Sequence, residues 1–228
     1  ALAVERRRPW LAALCLVGAT ADRATGLAVV VGLTVTQLER SGVVSVPEGG
    51  RLALPTRVDL SRLRPRDLAP LVGFAGIGGF ATMLAVRFDD PLAFLHAQRA
   101  WGQGSGVRTL LKAQYVWELT HFVHRSLVAT TTLQALIVLA AVVVAPAVAR
   151  RFGWGYALIQ LGVAAMVLVG SKDFMGSGRY LLVAFPMFAL AGERLAGRPR
   201  SVRVAVLAIG ATGLAVGALA FGHGVYLA

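Results

Sequence analysis

Two stretches of the chain carry residue types that could hold a charged, lipid-borne ligand. The shorter is Ser171-Lys172-Asp173-Phe174-Met175-Gly176-Ser177-Gly178-Arg179-Tyr180, which leads into an apolar segment containing Pro186. Lys172 and Arg179 flank flexible glycines at what reads as a helix start. That combination suits a phosphate, because the first turn of a helix offers free N–H groups and a guanidinium binds two oxygens at once. Basic residues also flank spanning helices for topological reasons alone, so both readings stand.

The longer stretch is residues 87–126. Asp89 and Asp90 open it and could bind a divalent cation or an acceptor group, or cap the helix that follows. Residues 91–101 can form one short helix. From Val107 the pattern is helical again: Leu111, Tyr115, Leu119 and Phe122 share one stripe, and Gln114, Glu118, His121 and Arg125 another. This predicts an amphipathic helix lying on a membrane surface. Trp101, Tyr115 and Trp117 suit interfacial anchors, and their ring faces could equally stack on a sugar or cover an isoprenoid tail. Glu118, His121 and His124 stand at i, i+3 and i+6, a face that a metal could bridge. A single Glu-x-x-His lacks the second copy that a di-metal carboxylate site requires, so no metal site is assigned.

Composition says what must position these stretches. The 228 residues are 57% hydrophobic and only 15% charged, with a mean hydropathy of +0.69, which a water-exposed exterior does not allow. The apolar residues come in runs, at 9–20, 24–38, 68–86, 127–149, 154–170, 180–195 and 204–221. A run of about 18 apolar residues crosses the roughly 30 Å hydrocarbon core. The expected fold is therefore all-α, a single transmembrane bundle over residues 1–228 with about seven membrane segments. The first two are short, but fusing them would put Asp22 and Arg23 at mid-membrane, at about 3 kcal/mol or more for each charge. Two helices meeting at a surface-level break cost less.

The net charge of +12 would suggest nucleic acid in a soluble protein. In a membrane protein, Arg and Lys gather in cytoplasmic loops, and nucleic-acid binding is not expected. With the N-terminal arginines Arg6, Arg7 and Arg8 inside, the linker at 39–67, the Arg150-Arg151 turn and the Arg198-Pro199-Arg200 turn all fall on the cytoplasmic side. That places residues 87–126 and 171–179 together on the outer side. The linker, with Pro47, Pro55, Pro65 and Gly49-Gly50, reads as an irregular surface segment. Gly73, Gly76, Gly78 and Gly79, like Gly210, Gly213 and Gly217 in the last segment, read as close helix-packing positions.

Cys15 is the single cysteine, so an intrachain disulfide and a Cys-based metal site are both excluded. The apolar run 10–19 after a basic start, ending Ala19-Thr20-Ala21, fits a signal peptide, but a second apolar run follows at once. Because that run begins directly after Arg8 in a chain that starts Ala-Leu-Ala, further residues are expected upstream.

Three motifs, in order, resemble a known family. They are Asp22-Arg23-Ala24-Thr25-Gly26-Leu27 between two apolar runs, Ala93-Phe94-Leu95-His96-Ala97-Gln98-Arg99-Ala100-Trp101-Gly102 in the outer loop, and Gly178-Arg179-Tyr180-Leu181-Leu182-Val183-Ala184-Phe185-Pro186-Met187-Phe188. Together, over residues 22–193, they resemble the bacterial PIG-V-like mannosyltransferases, relatives of the GPI-anchor second-mannose transferases. The resemblance implies a GT-C fold in the bacterial plasma membrane. Its cleft would face the extracytoplasmic side and move mannose from a polyprenyl-phosphate sugar to a lipid or glycan acceptor. It further implies that His96, Gln98, Arg99, Trp101 and Tyr180 contact substrate or lipid. The family's catalytic carboxylate sits in a first outer loop that has no counterpart before Trp10, so that base is expected upstream of this chain.

Transfer from a lipid phosphate needs a base for the acceptor hydroxyl and cations for the departing phosphate. Arg179 and Lys172 would serve the second need, with Asp89 and Asp90 as weak candidates for the first. No cofactor is required beyond a possible divalent cation. The competing reading is a non-enzymatic transporter or flippase-like component, which should carry ionisable residues inside its helices. Within the five longer segments the acidic residue that fits is Glu193, beside Arg194 near a cytoplasmic end.

Overall fold

Long runs of Ala, Val, Leu and Gly offer the backbone few side-chain partners, and the helix satisfies its N–H and C=O groups internally. A computed structural model describes residues 1–45, 57–100, 106–121 and 125–224, without the side chains of residues 57, 98–100 and 125–126. The order is α1 (Leu2–Glu5), α2 (Pro9–Asp22), α3 (Gly26–Ser41), β1 (Val44–Ser45), β2 (Arg57–Val58), 3-10 helices at Leu60–Arg62 and Pro65–Gly73, then α4 (Phe74–Phe88) and α5 (Ala93–Ala100). It continues with α6 (Val107–Leu110), α7 (Ala113–His121), α8 (Arg125–Phe152), α9 (Trp154–Gly170), α10 (Ser177–Leu181), α11 (Phe185–Ala196) and α12 (Arg200–Gly222). Among the described residues, Pro65–Phe88, Leu127–Phe152 and Arg200–Gly222 are long and apolar enough to cross a membrane, and Pro9–Asp22 and Trp154–Gly170 are shorter apolar helices. The chain is a helical membrane protein.

Several sequence expectations change in detail. Residues 180–195 form two helices, because Pro186 has no N–H to give and its ring would meet the carbonyl of Leu182 in a continuous helix. Pro65 and Pro70 likewise hold the start of the Pro65–Phe88 rod in the tighter 3-10 form. The linker is less irregular than its composition suggests: Val44 pairs with Val58 and Ser45 with Arg57 in a short antiparallel ladder. The amphipathic helix expected from Val107 breaks between α6 and α7, where Lys112 turns through a φ of 52°. Leu111 is thereby thrown out of the stripe and left 70% exposed.

The core is made by helices that cross at small residues. Gly32 on α3 and Gly155 on α9 face each other so closely that a Cβ on Gly32 would lie 2.5 Å from the Gly155 carbonyl oxygen, and one on Gly155 only 2.4 Å from that of Gly32. Val30, Leu33, Ala157 and Ile159 close around this crossing, with Val148 of α8. On the other side of α3, the Pro65–Phe88 rod lies along α2, where Gly73 meets Leu16 and Val30, and Gly76 meets Val17 and Thr20. Thr20 donates to the Gly73 carbonyl at 2.5 Å. Helix α2 is thus built into the bundle, with Ala12, Ala13 and Leu16 buried. A second cluster joins Ala28 to Val138, Ala141, Val163, Leu181 and Ala184.

Polar groups gather at the two ends. At one end, Glu39 accepts from the N–H groups of Trp154 (2.9 Å) and Gly155 (3.3 Å), capping α9. Tyr156 donates to Glu5 at 2.6 Å, Glu5 pairs with Arg40, and Arg151 pairs with Glu193. Gln37 donates to Asp67, which is buried (3.0 Å). Helix α12 stands apart beside α11 with no buried residue. Its Gly210 and Gly213 have nothing within 4 Å, and neither do Gly78 and Gly79, so the packing role expected of these four is not realised within the chain.

Candidate functional site

The opposite end is organised around Lys112. Its backbone sits in the left-handed region, at about 1–2 kcal/mol for a residue with a Cβ. That turn sends the side chain inward, where only 5% of the residue stays exposed. Nζ donates to the carbonyls of Leu168 (2.8 Å) and Val167 (3.2 Å), to the Ser171 carbonyl and to Ser171 Oγ (3.2 Å). The Val167 and Leu168 carbonyls belong to the last turn of α9, whose C=O groups lack intrahelical donors, and a cation at a helix C-terminus is favoured by its dipole. Charge-assisted bonds of this kind are worth about 1.5–3 kcal/mol each, enough to outweigh the strained turn. Burial pushes the Lys112 ammonium below the usual lysine range, and the nearby Asp173 carboxylate opposes that shift.

The 171–180 turn is packed under α7. Tyr115 meets Phe174 edge to face at 5.1 Å, Lys112 lies 5.3 Å over the same ring, and the Tyr115 hydroxyl bonds Thr132 of α8 at 3.0 Å. Asp173 is buried and accepts from the Met175 N–H at 2.9 Å, which sets the turn. Gly176 then takes a φ of 79°, and the Arg179 guanidinium folds back over it, 3.2 Å from where a Cβ would stand. Gln134 of α8 accepts from the Gly178 N–H at 3.4 Å. Ser177 Oγ is fully buried and has no hydrogen-bond partner. Arg179 and Tyr180 are exposed above this floor, and Lys172 is half-buried beside it.

The structure therefore brings the two chemistry-bearing stretches into contact, through Lys112 with Ser171 and Tyr115 with Phe174. Lys112, Ser171, Asp173, Ser177 and Gln134, which make the floor, were not singled out from sequence. Gln134 carried a signal, as the lone amide of α8 at the head of the apolar run from Ala135 to Ala149.

A second group lies beyond α4. Asp89 closes that helix in the left-handed region (φ 53°), its N–H bonded to the Ala85 carbonyl at 3.0 Å. Asp90 uses both carboxylate oxygens: Oδ1 accepts from the Leu92 N–H at 3.0 Å, and Oδ2 meets His96 Nδ1 at 2.7 Å. The bond to His96, followed by the Leu92 N–H, holds the Asp90 carboxyl below the usual range. Phe94 of α5 rests on Phe80 of α4 with ring centroids 6.0 Å apart. Gln98 and Arg99 lie in α5 with their side chains outside the described set, and Trp101, Phe122 and His124 lie outside the described residues altogether. Trp117 stacks on His121 at 4.8 Å, and Gln114 donates to Glu118 at 2.9 Å. Among the described residues no group of three His, Cys, Asp or Glu could hold a metal ion.

Helix packing sets how the two groups relate. Helix α9 packs on α3, while the Pro65–Phe88 rod packs on α2 and on a different face of α3. Gly76 of α4 is level with the end of α2, and α4 runs on for twelve residues to Phe88, about 18 Å at 1.5 Å per residue. The α2–α3 turn, with Asp22 and Arg23 exposed, therefore lies at the same end of the bundle as the ends of α4 and α9. No family model, curated protein or solved structure matches the chain.

Proposed function

We propose that this chain is the membrane-embedded part of a glycosyltransferase. It transfers a sugar, mannose by the family resemblance, from a polyprenyl-phosphate carrier to a lipid or glycan acceptor on the extracytoplasmic face of a bacterial plasma membrane. On this reading all seven apolar segments lie within the bilayer, α2 and α3 as paired short helices and α10 with α11 as one interrupted passage. Arg179 and Lys172 bind the donor phosphate.

The observation that carries the reading is the stitching of residues 107–121 to the 171–180 turn, with Arg179 exposed above a floor fixed by Lys112 and Gln134. A guanidinium pre-positioned at a polar break between apolar helices suits a phosphate at the end of an isoprenoid tail. The test is transfer from a polyprenyl-phosphate mannose in membranes carrying the full-length protein. Arg179→Ala should abolish transfer while insertion and folding persist, and unchanged turnover would remove Arg179 from the site.

A further inference from the structure

The end of the bundle opposite Lys112 gathers arginines where α11 joins α12. Arg194 lies in the last turn of α11, Arg198 in the connection, and Arg200 and Arg203 in the first turn of α12. The join is tight: the Arg198 N–H bonds the Leu195 carbonyl at 3.0 Å, and the Arg203 N–H bonds that of Pro199 at 3.1 Å. All four arginines are exposed. The neighbouring carboxylate, Glu193, is already taken by Arg151 of α8, whose Nε lies 2.8 Å from both of its oxygens. Among the described residues Arg194, Arg198, Arg200 and Arg203 form no ion pair. The first turn of α12 has no acidic residue either, and it is the positive end of the helix dipole, where arginine is disfavoured. Orienting a membrane protein needs a charge bias between its loops, not guanidinium groups crowded at a positive helix end.

The surface that continues from this cluster is apolar. Arg200, Arg203, Val204 and Leu207 stand at i, i+3, i+4 and i+7, so they share one face of α12, and Leu214 extends that face two turns further. Val204, Leu207 and Leu214 are exposed, and no residue of α12 is buried although the helix is long and apolar enough to cross a membrane. A free anion would use the arginines and leave the apolar face bare. A second protein helix would cover the apolar face and leave the arginines unpaired. An amphiphile with a negative headgroup satisfies both parts of the one face.

We propose that the α11–α12 join binds an anionic phospholipid, with Arg198, Arg200 and Arg203 on the headgroup phosphate and an acyl chain along Val204, Leu207 and Leu214. Guanidinium groups suit this ligand because each can hold two phosphate oxygens, and basic residues beside a spanning helix draw anionic headgroups. The inference is independent of the transferase reading.

The experiment titrates phosphatidylglycerol or phosphatidylcholine into the full chain in detergent, reading bound lipid by native mass spectrometry and the thermal midpoint alongside. Wild type should retain phosphatidylglycerol in preference to phosphatidylcholine. Arg200→Gln with Arg203→Gln should weaken phosphatidylglycerol about 25-fold, at about fivefold for each arginine, and leave phosphatidylcholine unchanged. Arg6→Gln with Arg7→Gln removes the same charge from the same end and should stay near wild type. Arg200→Lys with Arg203→Lys keeps the charge that orients the chain, so it reports even if the Gln pair fails to insert, and it should still lose several-fold because lysine cannot bind two oxygens at once. Equal affinity of wild type for the two lipids overturns the proposal, as does an equal loss in the two Gln pairs or full affinity in the Lys pair. A thermal shift from inorganic phosphate as large as that from phosphatidylglycerol would assign the arginines to a soluble anion instead. A lipid-free dimer that phosphatidylglycerol does not enter would assign the α12 face to a second copy.

Discussion

Lys112 Nζ donates to the carbonyl oxygen of Leu168 at 2.8 Å across 56 positions of sequence, and so closes the end of α9 with a residue from the 87–126 stretch. An ammonium in that position satisfies carbonyls that a helix end leaves unpaired and neutralises the negative end of its dipole. The turn that carries Arg179 thus inherits its geometry from a residue far from it in the chain.

Lys112→Met keeps the aliphatic stem and deletes the donor. The loss of charge-assisted bonds to three carbonyls should cost about 2–3 kcal/mol, read as a lower thermal midpoint in detergent. Hydrogen exchange should speed up over residues 171–179 more than over α3. Equal protection in both forms would show that Lys112 does not hold the turn.

Gly176→Ala tests the same turn from within. Its φ of 79° costs a residue with a Cβ about 1–2 kcal/mol, and the new methyl would displace the Arg179 guanidinium. Gly178→Ala meets nothing within 4 Å and is the control. The donor KM should rise several-fold in the first and stay near wild type in the second, measured by transfer in membranes.

Helix crossing gives a further contrast. At Gly155 a Cβ would collide with the backbone of α3, which cannot rotate away, so Gly155→Ala should destabilise by about 1–3 kcal/mol or more. Gly210→Ala on α12 meets nothing and should stay within about 1 kcal/mol of wild type. Thermal unfolding of both variants in detergent decides it.

Glu39 sets a pH dependence. Burial raises its carboxyl above the usual range, and the Trp154 and Gly155 N–H groups partly offset this. The folded state then binds more protons than the unfolded one in the window upward from 4.5, so stability falls as pH rises through it. Glu39→Gln keeps an acceptor for α9 without the charge. The difference in thermal midpoint between wild type and Glu39→Gln should favour wild type least at the neutral end, and a difference constant with pH would refute the assignment.

What the sequence made legible was whatever depends on runs and on sign. The apolar segments, the short α2 and α3 with a break at Asp22 and Arg23, and the helix inside residues 91–101 all follow from composition and the cost of buried charge. What it concealed depends on single long-range contacts. Nothing local in Val107–Leu110 or Ala113–His121 requires the break between them, because the reason for it, the carbonyls of Val167 and Leu168, lies elsewhere in the chain. The stripe at Leu111, Tyr115 and Leu119 was a true periodicity that one tertiary bond overrode. Asp90 and His96 were both singled out, but as separate candidates, since six residues apart around a turn gives no period that would join them. The glycines show the same limit: spacing is identical in kind at Gly73 and Gly210, and only the neighbours separate a packed position from an open one.

The shortness of α2 reaches beyond the protein itself. Fourteen residues give about 21 Å of helix, against a hydrocarbon core of roughly 30 Å, and the turn that follows carries two charges that stay solvated. With α2 as a membrane segment, as proposed above, the bilayer would dimple beside this turn and draw water and headgroups about 9 Å inward. On the proposed function, a carrier lipid arriving there would not need to be hoisted out of the membrane, because the local surface would have come down to meet it.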